Sequence, residues 1–201
     1  MSTKILIIIL LCLQTNTSKQ LLASYDYVIF SNSNHVSHAS DLVDLIETDI
    51  EQNLRSQLTL YLDAFLKGNV DEAFHHIYPD MLLWLKRDNP DSFSIADAKK
   101  FFKDLTVDLR LLEEQKGFKT NYELGDIVHR VDLGSEKIYT ILTSLNAKKD
   151  MHEIRMGGEI IAITIDNGKT WKFIQKDADT SPEILRIRFS NSIVEKIMEK
   201  N

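Results

Sequence analysis

His129 and Asp126 are the residues of this chain best suited to acid–base chemistry. An imidazole titrates near neutrality, and His129 alternates with Ile127 and Val131 along a predicted strand whose apolar face would line a hollow. There it could serve as a general base, with Asp126 as the second candidate. The simpler interpretation, which we favour, is a half-buried imidazole bonded to a neighbouring carbonyl, or a strand with its faces inverted.

A base of this kind needs an oxyanion donor converging on the same carbon atom. Tyr61, Tyr122 and Tyr139 are the candidate donors, but no motif fixes their positions. Tyr122 is kept beside His129 and Asp126 as a catalytic candidate, and no catalytic residue is assigned. Ordinary core or interface tyrosines are the default interpretation.

Aromatic side chains offer a second kind of site, a pocket for a flat apolar ligand. Aromatic residues at helical and strand periods belong more often to the core, which remains the default interpretation. The candidate binding residues are Trp84, Phe101, His129, Tyr139 and Arg155.

Two histidine pairs raise the question of a metal site. A stable site needs three or four converging ligands. Adjacent His75 and His76 on a helix would point about 100° apart, and His35 and His38 lie in a polar segment with no third ligand placed. We expect neither a metal nor another cofactor.

The segment TIDNGKTWKFI, residues 164–174, matches the Asp-box hairpin repeated in the blades of sialidases. Asp166 can bond turn amides, Gly168 permits positive φ, and Trp171 can pack beneath the turn. A single copy supports no propeller. We therefore interpret the hairpin as structural and predict that Trp171 is buried; an exposed Trp171 would favour glycan contact.

The length and charge of the chain limit the class of protein to which it can belong. A chain of 201 residues with 43% hydrophobic and 27% charged residues is typical of one globular domain. The net charge is −6 and the basic residues are scattered, which argues against nucleic-acid binding.

The first 18 residues resemble an export signal. Lys4 precedes the apolar run 5–13, and a polar stretch follows. The run is too short for a membrane span, which needs about 20 residues. Cys12, the only cysteine, is a weaker candidate for lipid attachment because Leu11 precedes it where a small residue is expected. The expected location is periplasmic or extracellular.

Residues 19–40 give no regular pattern, and helical periodicity follows. An apolar stripe from Ile46 to Phe65 predicts a helix that starts near Ser40-Asp41 and stops at Gly68. A short helix is then predicted up to Pro79, which ends it, and further helical turns over 81–86. Ser94 to Asp97 is a predicted capping box for another helix.

From Tyr122 the apolar period becomes two, which predicts strands. The first strand turns at Gly134-Ser135 into a strand over 137–145. The third is predicted over 154–166, with a bulge or bend at Gly157-Gly158, and the fourth over 170–175. Pro182 is predicted to open a C-terminal helix.

Helices followed by an antiparallel sheet indicate an α+β fold. We predict that residues 41–201 form a single domain, with N-terminal helices packed on one face of a strongly curved sheet of about four strands. A cone-shaped hollow between helix and sheet would be the place for a small ligand.

Two segments resemble the nuclear-transport-factor-2-like superfamily. They are YLDAFLKGNVDEAF, residues 61–74, and DNGKTWKFI, residues 166–174. With Tyr78-Pro79, they are similar to small exported bacterial proteins of this fold that have no assigned activity. The superfamily includes ketosteroid isomerases and SnoaL-like cyclases. The resemblance implies a cone-shaped pocket and dimerisation through the sheet.

Two functions remain open from the sequence. The first is an exported, non-catalytic domain that binds a small molecule or a protein through the hollow or the sheet face. The second is a small-molecule isomerase, cyclase or dehydratase with His129 or Asp126 as the base.

Overall fold

The computed structural model describes residues 38–88, 94–100, 102–104, 107, 117, 119–150 and 152–199. For residues 38–48, 88 and 152–154 it describes the backbone alone. The chain divides into two units, Met1–Asp49 and Ile50–Asn201, and every contact below lies within the second. The predicted signal segment, Cys12, His35 and Phe101 lie outside the described residues.

The described elements follow the predicted order, helices before strands. The helices that precede the sheet are α1 (His38–Lys67), α2 (Val70–His76) and α3 (Pro79–Asp88), and residues 95–100 and 102–104 are also helical. The strands are β1 (Lys119–Leu133), β2 (Glu136–Lys149), β3 (His152–Thr164) and β4 (Lys172–Gln175). Two short helices, α4 (Ser181–Leu185) and α5 (Asn191–Met198), come after the sheet. The α+β class is confirmed.

Helix α1 carries the predicted apolar stripe. Leu54, Leu58 and Leu62 recur every four residues and are buried against the sheet. The helix ends at Lys67, and Gly68 adopts a φ of 69°, the left-handed conformation that ends helices at low cost for glycine. The predicted stop at Gly68 is confirmed.

The link between α2 and α3 is tied to the sheet. Ile77 forms an isolated bridge with Phe173, and the Tyr78 amide donates to the Phe173 carbonyl at 3.0 Å. Helix α2 ends at His76, before Pro79, and Pro79 is the first residue of α3, where its missing N–H costs nothing.

The four strands form one antiparallel sheet in the order β1-β2-β3-β4. The sheet is neither closed nor strongly curled, in contrast to the strong curvature predicted. The predicted bulge at Gly157-Gly158 is wrong, because these residues pair with Ser144 and Thr143 in an uninterrupted register.

Both faces of the central strands are buried, whereas the sequence predicted one. Helix α1 covers the face that carries Tyr139 and Ile141. Ile138 and Thr140 alternate with them and are also buried, and α5 packs against β1 and β2. We call the α1-covered side the helix face of the sheet and the other side the reverse face.

Strand β1 contains the register irregularities of the sheet. Its pairing with β2 shifts between Leu124 and Ile127 and again between Ile127 and His129. Each shift inserts one extra residue in β1, so simple alternation fails across this stretch. An Ala in place of Gly125 would put Cβ 2.9 Å from Leu142 Cβ, which explains the glycine at this close approach.

The chain after β4 forms two helices instead of the one predicted. Helix α4 ends at Leu185 and α5 begins at Asn191, with Ser190 as an extended N-terminal cap at ψ 157°.

Candidate functional site

The hairpin between β3 and β4 is held by its own side chains. Asp166 accepts hydrogen bonds from the Thr170 amide at 2.8 Å, the Thr170 hydroxyl at 2.7 Å and the Thr164 hydroxyl at 2.8 Å. Asn167 and Gly168 take φ values of 58° and 84°, which the turn requires. Burial alone would raise the pKa of Asp166, but these hydrogen bonds hold it below its ordinary value.

Trp171 is fully buried, as predicted. Its exposed fraction is 0%, and its indole nitrogen donates to the Gly168 carbonyl at 3.1 Å. The ring packs beside Tyr139, with 5.3 Å between the ring centroids. Because no face of the indole reaches the surface, the hairpin offers no platform for stacking a sugar.

Helix α1 is fixed to this hairpin by two amide side chains. Asn53 donates to the carbonyls of Gly168 and Lys169. Gln57 donates to the Lys169 carbonyl at 2.9 Å and accepts from the Trp171 amide at 2.9 Å. The turn chemistry of the hairpin thus positions the helix on the sheet.

Strand β1 holds the same part of α1 from the other edge of the sheet. Arg55 donates to the Gly125 carbonyl at 3.0 Å. Glu51 forms an ion pair with Arg130, whose guanidinium lies 5.3 Å from the centroid of the Tyr139 ring. These contacts span residues 51–57 and fix this part of α1 between the edge strand and the hairpin.

A cavity of about 360 Å³ opens where α1 continues past these contacts. It lies between the last two turns of α1 and the first residues of β1, on the helix face of the sheet. Its volume is near the lower end of the range of about 300–1,000 Å³ that is typical of ligand sites. Its lining residues are Thr59, Leu62, Asp63, Leu66, Lys67, Thr120, Asn121, Tyr122 and Leu124.

The described walls of the cavity mix apolar and polar side chains, and their charges belong to one ion pair. Leu62 is buried, and Leu66, Leu124 and Tyr122 are partly buried. At the helix side, Lys67 Nζ lies 2.8 Å from Asp63 Oδ2. The site therefore combines an apolar patch with polar groups and has a paired Asp63 and Lys67 at its rim.

Of the three catalytic candidates, Tyr122 alone lines this cavity. It pairs with Leu145 and packs against the helix-face core. His129 pairs with Thr140 and therefore lies on the reverse face, opposite Ile127. The extra residue in β1 is the reason, since alternation had predicted that Ile127 and His129 share a face.

His129 is half-buried, and its Nε2 atom has no hydrogen-bond partner in the described part of the chain. Asp126 is exposed beside the irregular stretch of β1. Neither lines the cavity, and Tyr122 faces the other side of the sheet from His129. The structure does not bring the three candidates together.

The candidate binding residues are also dispersed. Trp84 is buried in α3 and donates through its indole to Glu183 at 2.8 Å. Tyr139 lies in the core, and Arg155 forms an exposed ion pair with Glu123 at 3.1 Å. Tyr61, the remaining candidate donor, stacks on Phe173 at 5.4 Å between ring centroids.

The neighbouring histidines of α2 lie in different environments. His75 is exposed, whereas His76 is buried against the rings of Tyr61 and Phe173. Burial and the adjacent His75 lower the pKa of His76, partly opposed by Glu72. Among the described residues, no group of three or more potential metal ligands converges.

Sequence reasoning missed most of the cavity. Leu62 was recognised as a core residue of the α1 stripe, but Asp63, Lys67 and Leu124 were not singled out. The i,i+4 spacing of Asp63 and Lys67 was a signal for an ion pair, and not for a site. The site depends on α1 meeting the start of β1, about sixty residues later in the chain.

Comparison with protein-family models, with curated proteins and with solved structures gives no match for this chain. Within the described residues, none of the helices combines the length and the apolar character needed to cross a bilayer.

Proposed function

We propose that this chain is a non-catalytic binding domain that takes a small molecule into the cavity between α1 and β1. The cavity is the observation that carries the proposal, since it places three leucines and a tyrosine beside polar groups of both the helix and the strand. It is a cleft between a helix and an edge strand, and it takes the place of the hollow expected inside a cone.

The composition of the walls favours binding over catalysis. The lining residues comprise two threonines, one asparagine, one tyrosine and an ion pair besides three leucines. None of these described residues is a histidine, and their one carboxylate is already paired with Lys67. A general base and an oxyanion donor directed at one carbon are therefore not available from these walls.

Export from the cytoplasm and membership of the nuclear-transport-factor-2-like superfamily belong to the same proposal. Export is supported by the N-terminal signal pattern, and membership by residues 61–74 and 166–174. The two segments meet where Tyr61 stacks on Phe173. Dimerisation through the sheet is carried by the resemblance alone.

The proposal can be tested with the neutral fluorescent probe N-phenyl-1-naphthylamine and two matched leucine variants. Leu66 lines the cavity, whereas Leu60 lies on the same helix, is 54% exposed and is outside the lining. We expect saturable binding to the unmodified protein, loss of binding in Leu66→Trp because the indole fills the cavity, and unchanged binding in Leu60→Trp. Absence of saturable binding, or equal binding by both variants, would contradict the proposal.

The natural ligand can be sought with the same pair of variants. Each would be expressed in the native host, purified and analysed by mass spectrometry for small molecules. A compound that is retained by the unmodified protein and by Leu60→Trp, and is absent from Leu66→Trp, is the expected result.

A further inference from the structure

The charges at the rim of the cavity carry information about the ligand. Asp63 and Lys67 are one helical turn apart on α1, with 2.8 Å between Nζ and Oδ2. Both belong to the lining, and the other seven lining residues in the described part of the chain are uncharged. Each charge of the rim is therefore already matched by the other.

An added charge in the ligand would disturb this pair. A carboxylate that approaches Lys67 must compete with Asp63, and it also meets the partial negative charge of the α1 C-terminus. An ammonium group that approaches Asp63 must compete with Lys67. Lys119 and Lys149, at the ends of the adjoining strands, are not among the described lining residues.

The remaining walls suit an apolar body that carries a polar group. Leu62, Leu66 and Leu124 offer aliphatic surface. The Thr59 hydroxyl donates to the Arg55 carbonyl at 2.8 Å, so its oxygen keeps lone pairs that can accept a hydrogen bond from a ligand hydroxyl.

From these features, and resting on the proposed binding function, we infer that the cavity selects uncharged amphipathic molecules. The class is an aliphatic or small aromatic body with a hydroxyl or amide group. Carboxylates and amines of the same size bind more weakly, because each must break the Asp63–Lys67 pair to be neutralised.

Three probes of equal chain length test this inference: 1-octanol, octanoate and octylammonium, each titrated at pH 7 into the full chain. Binding would be followed by NMR of the leucine methyl groups, which reports on Leu62, Leu66 and Leu124 directly. We expect 1-octanol to bind at least about threefold more tightly than either charged probe, the size of effect that exposed ion pairs produce.

Two single variants should then reverse the preference in opposite directions. Asp63→Asn leaves the Lys67 charge unmatched, so octanoate should gain affinity and octylammonium should lose it. Lys67→Gln should have the opposite effect. Both side chains are more than half exposed, so these variants are expected to fold, and the same NMR spectra would verify it.

The outcomes separate the inference from the function on which it rests. If octanoate binds most tightly and Lys67→Gln abolishes its binding, the site is an anion receptor and the inference is overturned. If octylammonium binds most tightly and Asp63→Asn abolishes its binding, the inference is overturned as well. If none of the three probes shifts the leucine methyls, the proposed function itself fails for amphipathic ligands.

Discussion

The side chain of Gln57 pairs with the backbone of Trp171 as a neighbouring strand would. Gln57 Oε1 accepts from the Trp171 amide and Gln57 Nε2 donates to the Lys169 carbonyl, both at 2.9 Å. One amide thus satisfies a donor and an acceptor two residues apart. The cavity lining begins at Thr59, two residues further along α1, so this contact positions the helix where the cleft opens.

Replacement of Gln57 should destabilise the protein. Gln57→Ala leaves the Trp171 amide without this partner, whereas the Lys169 carbonyl keeps Asn53 as a donor. An unsatisfied buried amide costs about 1–3 kcal/mol. The free energy of unfolding in urea measures the change. Gln52→Ala, at an exposed position of the same helix, should lie within about 0.5 kcal/mol of the unmodified protein. Equal effects of the two variants would mean that the Gln57 contact contributes little.

Acid should weaken the hairpin through Asp166. Its pKa is lowered in the folded state, so its contribution is complete above the unfolded value of about 3.9 and is lost as the pH falls through the folded pKa. Asp166→Asn should reduce stability at pH 7, and it should make stability depend less strongly on pH below pH 4. Part of the dependence should remain, because hydrogen bonds from Lys137 and Gly134 also lower the pKa of Asp132.

Urea unfolding between pH 2 and 7 provides the measurement for Asp166. Asp179→Asn is the matched control, at an exposed position in the turn after β4. If stability fell as steeply at acid pH in Asp166→Asn as in the unmodified protein, the hydrogen bonds to this side chain would persist when it is neutral.

His76 should make stability depend on pH in a higher range. Between its lowered folded-state pKa and the unfolded value of about 6.5, the unfolded chain binds a proton that the folded chain does not. Stability should therefore fall as the pH decreases below about 6.5. His76→Phe, which retains ring packing against Tyr61 and Phe173, should remove this dependence.

The exposed neighbour His75 serves as the control for His76. His75→Gln should retain most of the fall in stability below about pH 6.5, because burial is the main cause of the shift at His76. Thermal melting temperatures from pH 5 to 8 would compare the variants. If the melting temperature of His76→Phe fell with decreasing pH as much as that of the unmodified protein, other groups would be the cause.

Two glycines of the sheet should respond differently to alanine. At Gly125 the added Cβ would lie 2.9 Å from Leu142 Cβ and 3.3 Å from the Leu142 carbonyl oxygen, so β1 and β2 must separate. We expect Gly125→Ala to cost about 1–3 kcal/mol. At Gly157 nothing lies within 4 Å of the added atom, and alanine should be neutral or stabilising by about 0.5–1 kcal/mol.

Chemical denaturation of both glycine variants would test this contrast. If Gly125→Ala were as stable as Gly157→Ala, the close approach of β1 and β2 would have to relax without cost. NMR shifts of the cavity-lining Leu124 and Tyr122 should change in Gly125→Ala alone, because that substitution displaces β1.

Local chemistry made much of the fold predictable. The four-residue spacing of Leu54, Leu58 and Leu62 dictated the buried stripe of α1, and Gly68 marked its end. The Asp166–Gly168–Trp171 spacing dictated both the turn and a buried indole, because each partner lies within a few residues of the others.

The assignment of faces in β1 could not be obtained this way. The side-chain period of a strand is two, so a single extra residue moves every later side chain to the other face. The register with β2 places one such residue between Ile127 and His129. The position of the extra residue is determined by the pairing between the strands, and it cannot be predicted from the alternation within β1.

The sequence by itself determined the order of helices and strands, the turn chemistry and the apolar stripe, since these follow from residues close together in the chain. Tertiary structure alone decided the cavity, because Leu62 and Leu124 come together only through the docking of α1 on β1. It also decided that Ile127 shares the helix face with Tyr122, whereas His129 lies on the reverse face. Both features depend on strand register and helix placement, which are set by the balance of packing over the whole core.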